Sequence, residues 1–361
     1  MIRKKTVFIL GAGASCEYGF PLGSQLRSAI IALALDERCP DDATEALRDV
    51  WNALWSDRDD LLQVYYSDKR LKDFGKSFMR SGTYSIDTFL KHRPEQRPIG
   101  AALIGLIISH CERQDLLFRQ PRLYNWLADR MGPTAEDPTE RKVTFVTFNY
   151  DRSLECFMML STRELANDPA KANAELDPGQ IIHMHGSVGD MPHIGPGYKP
   201  GDPVQAYERW NELDSNVRYG EHDIARWQKT LRLVGERASE EANKMHQQAR
   251  HAIAQAQVVC FLGFGFDKEN MKLLSFPYRP GYLHDPRFIY QGKQVSENPV
   301  AIGTALGLTA SRRKEVARML FARSFYDSAA ELLRFDLQRT CGELLDDNIQ
   351  TLDAEWDLPK A

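Results

Sequence analysis

The sequence predicts an α/β protein with a Rossmann-like, doubly wound parallel sheet and a helical insertion. Three largely apolar runs, Thr6–Leu10, Val143–Phe148 and Gln257–Phe264, have the β-branched and aromatic content of strands that are buried on both faces. Glycine turns follow the first and third runs, and helical patterns follow those turns. Repeated units of strand, turn and helix are typical of a parallel sheet covered by helices.

The first strand leads into the glycine-rich turn Gly11-Ala12-Gly13-Ala14-Ser15. A helix is predicted to follow from near Gly19, with Pro21 in its first turn. Glycines allow the backbone to approach a pyrophosphate closely, and a helix N-terminus favours the negative charge of that group. The stretch therefore predicts the phosphate-binding opening of a nucleotide-binding unit.

A dehydrogenase fingerprint is the first alternative for this turn. The pattern G-x-G-x-x-G requires a glycine at position 16, where the chain has Cys16. The acidic ribose ligand of that family ends a second strand about 20 residues after the turn. Asp36 has suitable spacing, but Ala29–Leu35 predicts the end of a helix. A Rossmann-type oxidoreductase stays open as an alternative that requires Asp36 on a strand.

Residues 37–140 are predicted to be a helical insertion between the first two core strands. Within it, Tyr84–Leu90 predicts a helix N-cap at a serine or aspartate before an apolar pair, and the role of Asp87 is left open. The predicted helices of the insertion include Ala43–Leu54, Leu61–Tyr66, Ile99–Arg113 and Arg122–Met131.

Polar residues follow the second strand, where Asn149 and Asp151 come directly after Val143–Phe148. A short strand over Ile181–Met184 is followed by His185. In an open parallel sheet, ligands bind beyond the carboxyl ends of the strands. Asparagine can orient water or hold an amide, aspartate can accept from a carboxamide, and histidine can act as a general base near neutral pH. The joint placement of these residues predicts a nucleotide-processing site.

The predicted core domain comprises residues 1–36 and 141–310, with late strands at Arg287–Tyr290 and Val300–Ile302. Gly263, after the third strand, either contacts a nucleotide or forms a strand-to-helix turn. Residues 311–361 are predicted to form C-terminal helices, Ser311–Phe321 and Tyr326–Leu345, that pack on the core or on a partner.

Composition narrows the classes of protein further. The 46 basic and 50 acidic residues give a net charge of −4, and no basic block argues for direct nucleic-acid binding. The six cysteines lack C-x-x-C or C-x-x-H spacing, so we expect no zinc or other metal site. The longest apolar run, Ile99–Ser109, is about half the ~20 residues that span a bilayer. We expect a cytoplasmic protein without a membrane span.

Taken together, the motifs resemble the sirtuin superfamily, and specifically the bacterial sirtuin-like domains of anti-phage defence systems. The resemblance spans Val7 to about Leu306. The motifs that carry it are Gly11–Ser15 with Gly19–Pro21, Tyr84–Leu90, Thr147–Asp151, His185–Ser187 and Gly263–Asn270.

The resemblance implies an NAD-consuming site. Asn149 and His185 would be the catalytic residues, with His185 as the base that the match selects over His183. Deacetylating sirtuins carry a zinc module with two cysteine pairs, which this sequence lacks. That departure favours hydrolysis of NAD to nicotinamide and ADP-ribose over lysine deacylation. The residues implied to bind the dinucleotide are Gly11, Ala12, Gly13, Ser15, Asp151 and Gly263.

The resemblance also implies a biological setting. We expect an NAD glycohydrolase effector of a bacterial anti-phage defence system, held inactive until a trigger arrives. A homo-oligomer is expected, and one known arrangement of such chains includes a hexameric HerA-type DNA-translocating ATPase. A regulatory module that binds NAD or ADP-ribose without turnover is the second alternative.

Overall fold

A parallel sheet forms the centre of the computed structural model. In the described part of the chain, six strands follow the order β3-β2-β1-β4-β5-β6, and every neighbouring pair is parallel. This is the strand order of the Rossmann fold, so the predicted fold class is confirmed. The strands are β1 (Thr6–Leu10), β2 (Val143–Thr147), β3 (Ile181–His183), β4 (Val258–Leu262), β5 (Val300–Thr304) and β6 (Leu333–Asp336).

The structure describes residues 2–119, 122–131, 142–165, 181–189, 219–232, 240–274, 289–290, 293–294, 300–304, 309, 311–312, 314–316, 333–336, 340–347 and 349–353. The predicted loop at 132–140 and the Trp356 tail lie outside these residues. A short antiparallel pair, Ile289–Tyr290 with Lys293–Gln294, stands apart from the main sheet.

The central strand β1 is buried on both faces, as its continuous apolar sequence predicts. Phe8 and Leu10 point into the larger core, which the insertion helices share. Val7 and Ile9 point into a smaller core on the opposite face of the sheet. This alternation follows from the two-residue period of a strand, and it places helices on both faces of the sheet.

The predicted helical insertion lies between β1 and β2, which are neighbours in the sheet. Its longest apolar helix, Arg97–Cys111, is almost wholly buried in the larger core. Short 3₁₀ segments cover Cys16–Tyr18 and Pro94–Gln96, and a π-helical segment covers Arg58–Leu62. The α-helices from β1 to β2 are Ala12–Ser15, Gly23–Leu35, Glu45–Asp49, Trp51–Asp57, Gln63–Tyr65, Asp68–Ser81, Ile86–His92, Arg97–Cys111, Gln114–Phe118 and Leu123–Met131.

Helices after β2 cover the rest of the sheet. Ala249 and Ile253 of one of them pack into the smaller core against the second face. Within the described ranges, no helix has both the length and the apolar character needed to cross a membrane. The later helices are Ser153–Leu165, Glu221–Thr230, Glu240–Gln255, Lys268–Leu273, Cys341–Asp347 and Ile349–Asp353.

Asp36, which the dehydrogenase alternative requires on a strand, lies at the end of a helix. It is the C-cap of the helix Gly23–Leu35, with a left-handed φ of 66°, and is not at the end of a strand. Its carboxylate accepts a hydrogen bond from Trp55 Nε1 at 2.8 Å and lies within ion-pair distance of Arg58 and Lys72. Asp36 therefore does not occupy the strand-end position of the acidic ribose ligand in a dehydrogenase fingerprint.

The helix predicted for Tyr326–Leu345 is wrong over its middle part. Leu333–Asp336 is strand β6, which pairs in parallel with β5. A helix follows only at Cys341–Asp347. The alternating apolar residues of this stretch fit both a helix and a short edge strand, and pairing with β5 selects the strand. The C-terminal segment therefore contributes to the sheet itself.

Candidate functional site

Asn149 lies just beyond the end of β2 and is held at almost every polar atom. Its main-chain N–H donates to Thr147 Oγ1 at 3.0 Å. Its side-chain Nδ2 donates to the Gly11 carbonyl at 3.1 Å and to Ser15 Oγ at 2.7 Å. The main-chain carbonyl faces His183 Nδ1 at 3.2 Å. Among the described residues, Asn149 Oδ1 has no hydrogen-bond partner.

The glycine turn packs directly against the loop that follows β4. The Gly11 N–H donates to the Leu262 carbonyl, and the Gly13 N–H donates to the Gly263 carbonyl, both at 3.0 Å. Gly263 has φ +58°, and a Cβ there would lie 2.1 Å from the Ala14 nitrogen. Gly11, Gly13 and Gly263 are thus required because the backbone after β1 is in direct contact with the backbone after β4. These contacts already use the N–H groups of Gly11 and Gly13.

The position of this contact in the sheet is informative. Successive strands are added on one side of β1 up to β3, and β4 then lies on the other side of β1. Gly11 follows β1 and Gly263 follows β4. Such a switch point is where Rossmann-like sheets bind ligands. Ala12 begins a helix of only four residues, Ala12–Ser15. Both glycines therefore lie at the switch point of the sheet.

Asp151 is buried two residues after Asn149. Its Oδ1 accepts hydrogen bonds from the Ser153 main-chain N–H at 3.1 Å and from the Ser153 hydroxyl. Burial, with a smaller contribution from the Glu155 carboxylate, raises the pKa of the Asp151 carboxyl to about 6, while hydrogen bonds from Ser153 and Ser15 oppose the shift. A carboxyl group that titrates near neutral pH can accept or donate a hydrogen bond at this edge of the sheet.

His185 follows β3 and lies among aromatic rings. Its ring centroid is 5.1 Å from that of Phe148 and 6.3 Å from that of Tyr150, the two residues flanking Asn149. His185 Nε2 lies 3.1 Å from Asn270 Oδ1, to which it donates. Nδ1 then carries the lone pair of the ring, and it has no hydrogen-bond partner in the described part of the chain. Nδ1 is therefore the ring atom that can act as a base.

The glycine of the His-Gly pair serves the backbone. Gly186 has φ +69°, and a Cβ there would lie 1.9 Å from the Thr230 carbonyl oxygen. Beside it, the Arg232 N–H donates to the His185 carbonyl at 2.8 Å. The sharp turn after β3 therefore aims the His185 ring toward Phe148 and Tyr150.

The insertion reaches this site through the helix Ile86–His92. Ser85 caps that helix by accepting from the Asp87 N–H at 3.1 Å, as the sequence predicts. The Asp87 carboxylate accepts a hydrogen bond from the Tyr150 hydroxyl at 2.5 Å. Lys91 forms an ion pair with Glu269 at 3.1 Å, next to the asparagine that holds His185. The role left open for Asp87 thus includes a contact with the residue after Asn149.

Sequence reasoning missed three residues of the site: Glu155, Asn270 and Tyr150. Glu155 hydrogen-bonds His183 through Nε2, and Asn270 fixes the His185 ring. Both lie on helices after strand ends, where polar side chains have no distinguishing local pattern. For Asn270 a signal did exist, because it is the last residue of the matched motif Gly263–Asn270.

The predicted site residues come from four strand ends and converge at one edge of the sheet. Gly11–Ser15, Asn149 and Asp151 are joined through the hydrogen bonds of Ser15 and Asn149, and Gly263 contacts the same turn. In the described ranges, no cluster of three His, Cys, Asp or Glu side chains is arranged to hold a metal ion. The arrangement can supply one fixed acceptor, one basic nitrogen and one carboxyl group titrating near neutral pH.

No protein-family model matches the chain, and no curated protein matches it either.

Proposed function

We propose that the chain is an NAD+ glycohydrolase that cleaves NAD to nicotinamide and ADP-ribose. The observation that carries the proposal is the pair of unpartnered atoms at the sheet edge, Asn149 Oδ1 and His185 Nδ1, among the described residues. Breaking the N-glycosidic bond needs a group that orients water or a ribose hydroxyl and a base that takes its proton. An amide oxygen and a neutral imidazole nitrogen fit those two tasks.

Each remaining residue has a role in this reaction that its chemistry supports. Asp151, with its pKa near 6, would hold the carboxamide of nicotinamide by hydrogen bonding. Ser15 fixes the Asn149 carboxamide so that Oδ1 is presented in one orientation. Gly11, Ala12, Gly13 and Gly263 would face the phosphates and adenosine at the switch point. Because the Gly11 and Gly13 N–H groups are bonded within the protein, that contact would use the Ala12 N–H.

The resemblance to sirtuin-like domains supports the choice of NAD and the wider setting. We infer a cytoplasmic effector of a bacterial anti-phage defence system that depletes NAD when triggered. A homo-oligomer, and a HerA-type ATPase as partner, belong to the same inference. The position of Asp36 at a helix end, and not at a strand end, favours NAD hydrolysis over hydride transfer.

The test is an assay of nicotinamide release from NAD, in which chromatography measures the nicotinamide. The wild-type chain should release nicotinamide, alone or with the product of its neighbouring gene. Asn149→Ala and His185→Ala should each lower kcat by about 10²–10⁴-fold. Asn125→Ala is the control, because Asn125 lies on the helix Leu123–Met131 and its Oδ1 accepts a hydrogen bond from the Arg122 N–H at 3.0 Å. It should leave kcat unchanged.

Two outcomes would contradict the proposal. If the double variant of Asn149 and His185 releases nicotinamide at the wild-type rate, these residues do not catalyse the reaction. If calorimetry shows NAD binding but no condition gives nicotinamide, the chain is a binding module without turnover. Absorbance change at the reduced-nicotinamide band with some substrate would instead indicate an oxidoreductase.

A further inference from the structure

His183, which the proposed reaction does not use, lies between two oxygen atoms. Its Nδ1 is 3.2 Å from the Asn149 main-chain carbonyl oxygen, and its Nε2 is hydrogen-bonded to Glu155 Oε1. The exposed fractions of the two side chains are only 15% and 8%. Water therefore has little access to either ring nitrogen.

Two acceptors on one imidazole restrict its charge. A neutral imidazole carries a single N–H, whereas the imidazolium donates from both nitrogens. The carbonyl of Asn149 cannot donate, so with Glu155 as a carboxylate the pairing observed on both sides is complete only when the ring is protonated. The pKa of His183 agrees: burial lowers it, but the charge and hydrogen bond of Glu155 outweigh that effect and the pKa is raised.

Three elements meet at this ion pair. His183 is the last residue of β3 and lies beside Thr147 in the β2–β3 register. Glu155 is in the first turn of the helix Ser153–Leu165, which directly follows the β2 strand end. Within the described part of the chain, the Asp151 carboxyl also raises the pKa of His183. The pair thus ties β3 and the helix to the main chain of Asn149.

We propose that His183 is a positioning residue: as an imidazolium paired with Glu155, it donates through Nδ1 to the Asn149 carbonyl and fixes the main chain that carries the Asn149 carboxamide. The Asn149 N–H is fixed on the other side by Thr147 Oγ1. Holding both peptide groups fixes the Asn149 main chain, and the Nδ2 bonds to Ser15 and Gly11 then leave Oδ1 as the unpaired side-chain atom. This inference rests on the proposed function, because it concerns the residue that orients water or ribose.

The charge of the ring is tested by ¹H–¹⁵N correlation NMR of the histidine side chains in the full chain. His183→Gln, whose amide can still donate, identifies the His183 signals by their loss. In the wild type at pH 7, both ring nitrogens of His183 should be protonated. In Glu155→Gln, the ring should become neutral, with the proton on Nδ1. A neutral ring in the wild type, in either tautomer, overturns the ion pair.

The positioning role is tested by nicotinamide release. His183→Ala should lower kcat by about 10- to 100-fold with KM unchanged, since a small displacement of a catalytic group costs this much. Glu155→Gln should keep kcat close to the wild-type value, because the glutamine amide can donate to Nε2 while Nδ1–H still donates to Asn149. If His183→Ala lowers kcat and Glu155→Gln does not, the effect comes from the lost hydrogen bond to Asn149 and not from a general loss of structure.

A second buried His–carboxylate pair provides the matched control. His110 Nε2 lies 2.8 Å from Asp57 Oδ2, and both side chains are less than 10% exposed. Asp57→Ala and Glu155→Ala should both destabilise the chain. Only Glu155→Ala should lower kcat, and Asp57→Ala should leave kcat unchanged. Equal kcat in His183→Ala and the wild type overturns the positioning role. A wild type that releases no nicotinamide overturns the proposed function, and the NMR result then decides the ion pair independently.

Discussion

The Asn149 carboxamide nitrogen lies 2.7 Å from the Ser15 hydroxyl oxygen, across 134 residues of sequence. This bond joins the end of β2 to the turn after β1 and sets which atom of the carboxamide remains free. Nδ2 donates to Ser15 and Gly11, and Oδ1 has no partner among the described residues. The orientation of the site therefore depends on a serine that never needs to touch the reacting atoms.

Replacing Ser15 by alanine should loosen this arrangement without removing it. Asn149 Nδ2 would keep the Gly11 carbonyl, so we expect a loss of about 1 kcal/mol in the free energy of unfolding. The activity, measured by nicotinamide release, should fall because the carboxamide is less well fixed. Ser161→Ala is the control, since among the described residues the Ser161 hydroxyl bonds only within its own helix, to the Met158 carbonyl at 3.4 Å. Equal stability and activity in both variants would contradict the role of Ser15.

Gly263→Ala should be strongly destabilising. The residue has φ +58°, and the new Cβ would meet backbone atoms of Gly13 and Ala14 that cannot move independently. We expect a loss of about 3 kcal/mol or more, measured by urea unfolding. Gly265→Ala, two residues away, is the matched control because a Cβ there meets nothing within 4 Å. Similar unfolding midpoints for the two variants would show that the glycine contact does not support the fold.

The pKa of Asp151 predicts a dependence of stability on pH. Because its folded pKa is raised from 3.8 to about 6, the folded state holds the proton more tightly than the unfolded state. The free energy of unfolding should therefore fall as the pH rises from about 4 to 6, by roughly 2–3 kcal/mol from this group. Asp151→Asn should remove that part of the slope, since asparagine Oδ1 can still accept from Ser153. Urea titrations at pH 4.5 and 7.5 compare the two proteins, and parallel profiles would contradict the prediction.

The hydrogen bond between Tyr150 and Asp87 should couple the insertion to the core. Tyr150→Phe removes the hydroxyl that donates to Asp87 at 2.5 Å, and we expect a loss of about 1–3 kcal/mol because the acceptor is charged. A double-mutant cycle with Asp87→Asn measures the interaction directly. Tyr84→Phe is the control, as that side chain is 91% exposed. Strictly additive effects of the two substitutions would show that the residues do not interact.

The sequence predicted the sheet well where burial dominates. β1, β2 and β4 are continuous apolar runs, and such runs have few alternatives to a doubly covered strand. Leu333–Asp336 was predicted as helix because its apolar spacing fits both structures, and only pairing with β5 distinguishes them. Local patterns carry no information about such a long-range partner.

The same reasoning explains what was predicted of the site. Asn149, Asp151 and His185 were identifiable because each directly follows a strand, and parallel strands end at one edge. The contacts that define their chemistry were not identifiable, because Asn270 meets His185 across 85 residues and Glu155 meets His183 across 28. The occupation of the Gly11 and Gly13 N–H groups by the loop after β4 could not be predicted for the same reason.

The contact between Gly13 and Gly263 also has a consequence for biosynthesis. The turn after β1 is made early, but its backbone partner is translated 250 residues later. A nascent chain that ends before β4 has neither the Leu262 and Gly263 carbonyls that bind the turn nor the Asn270 that holds His185. Ribosome-bound fragments therefore cannot contain the assembled site, and its chemistry is confined to chains that have been synthesised past residue 270.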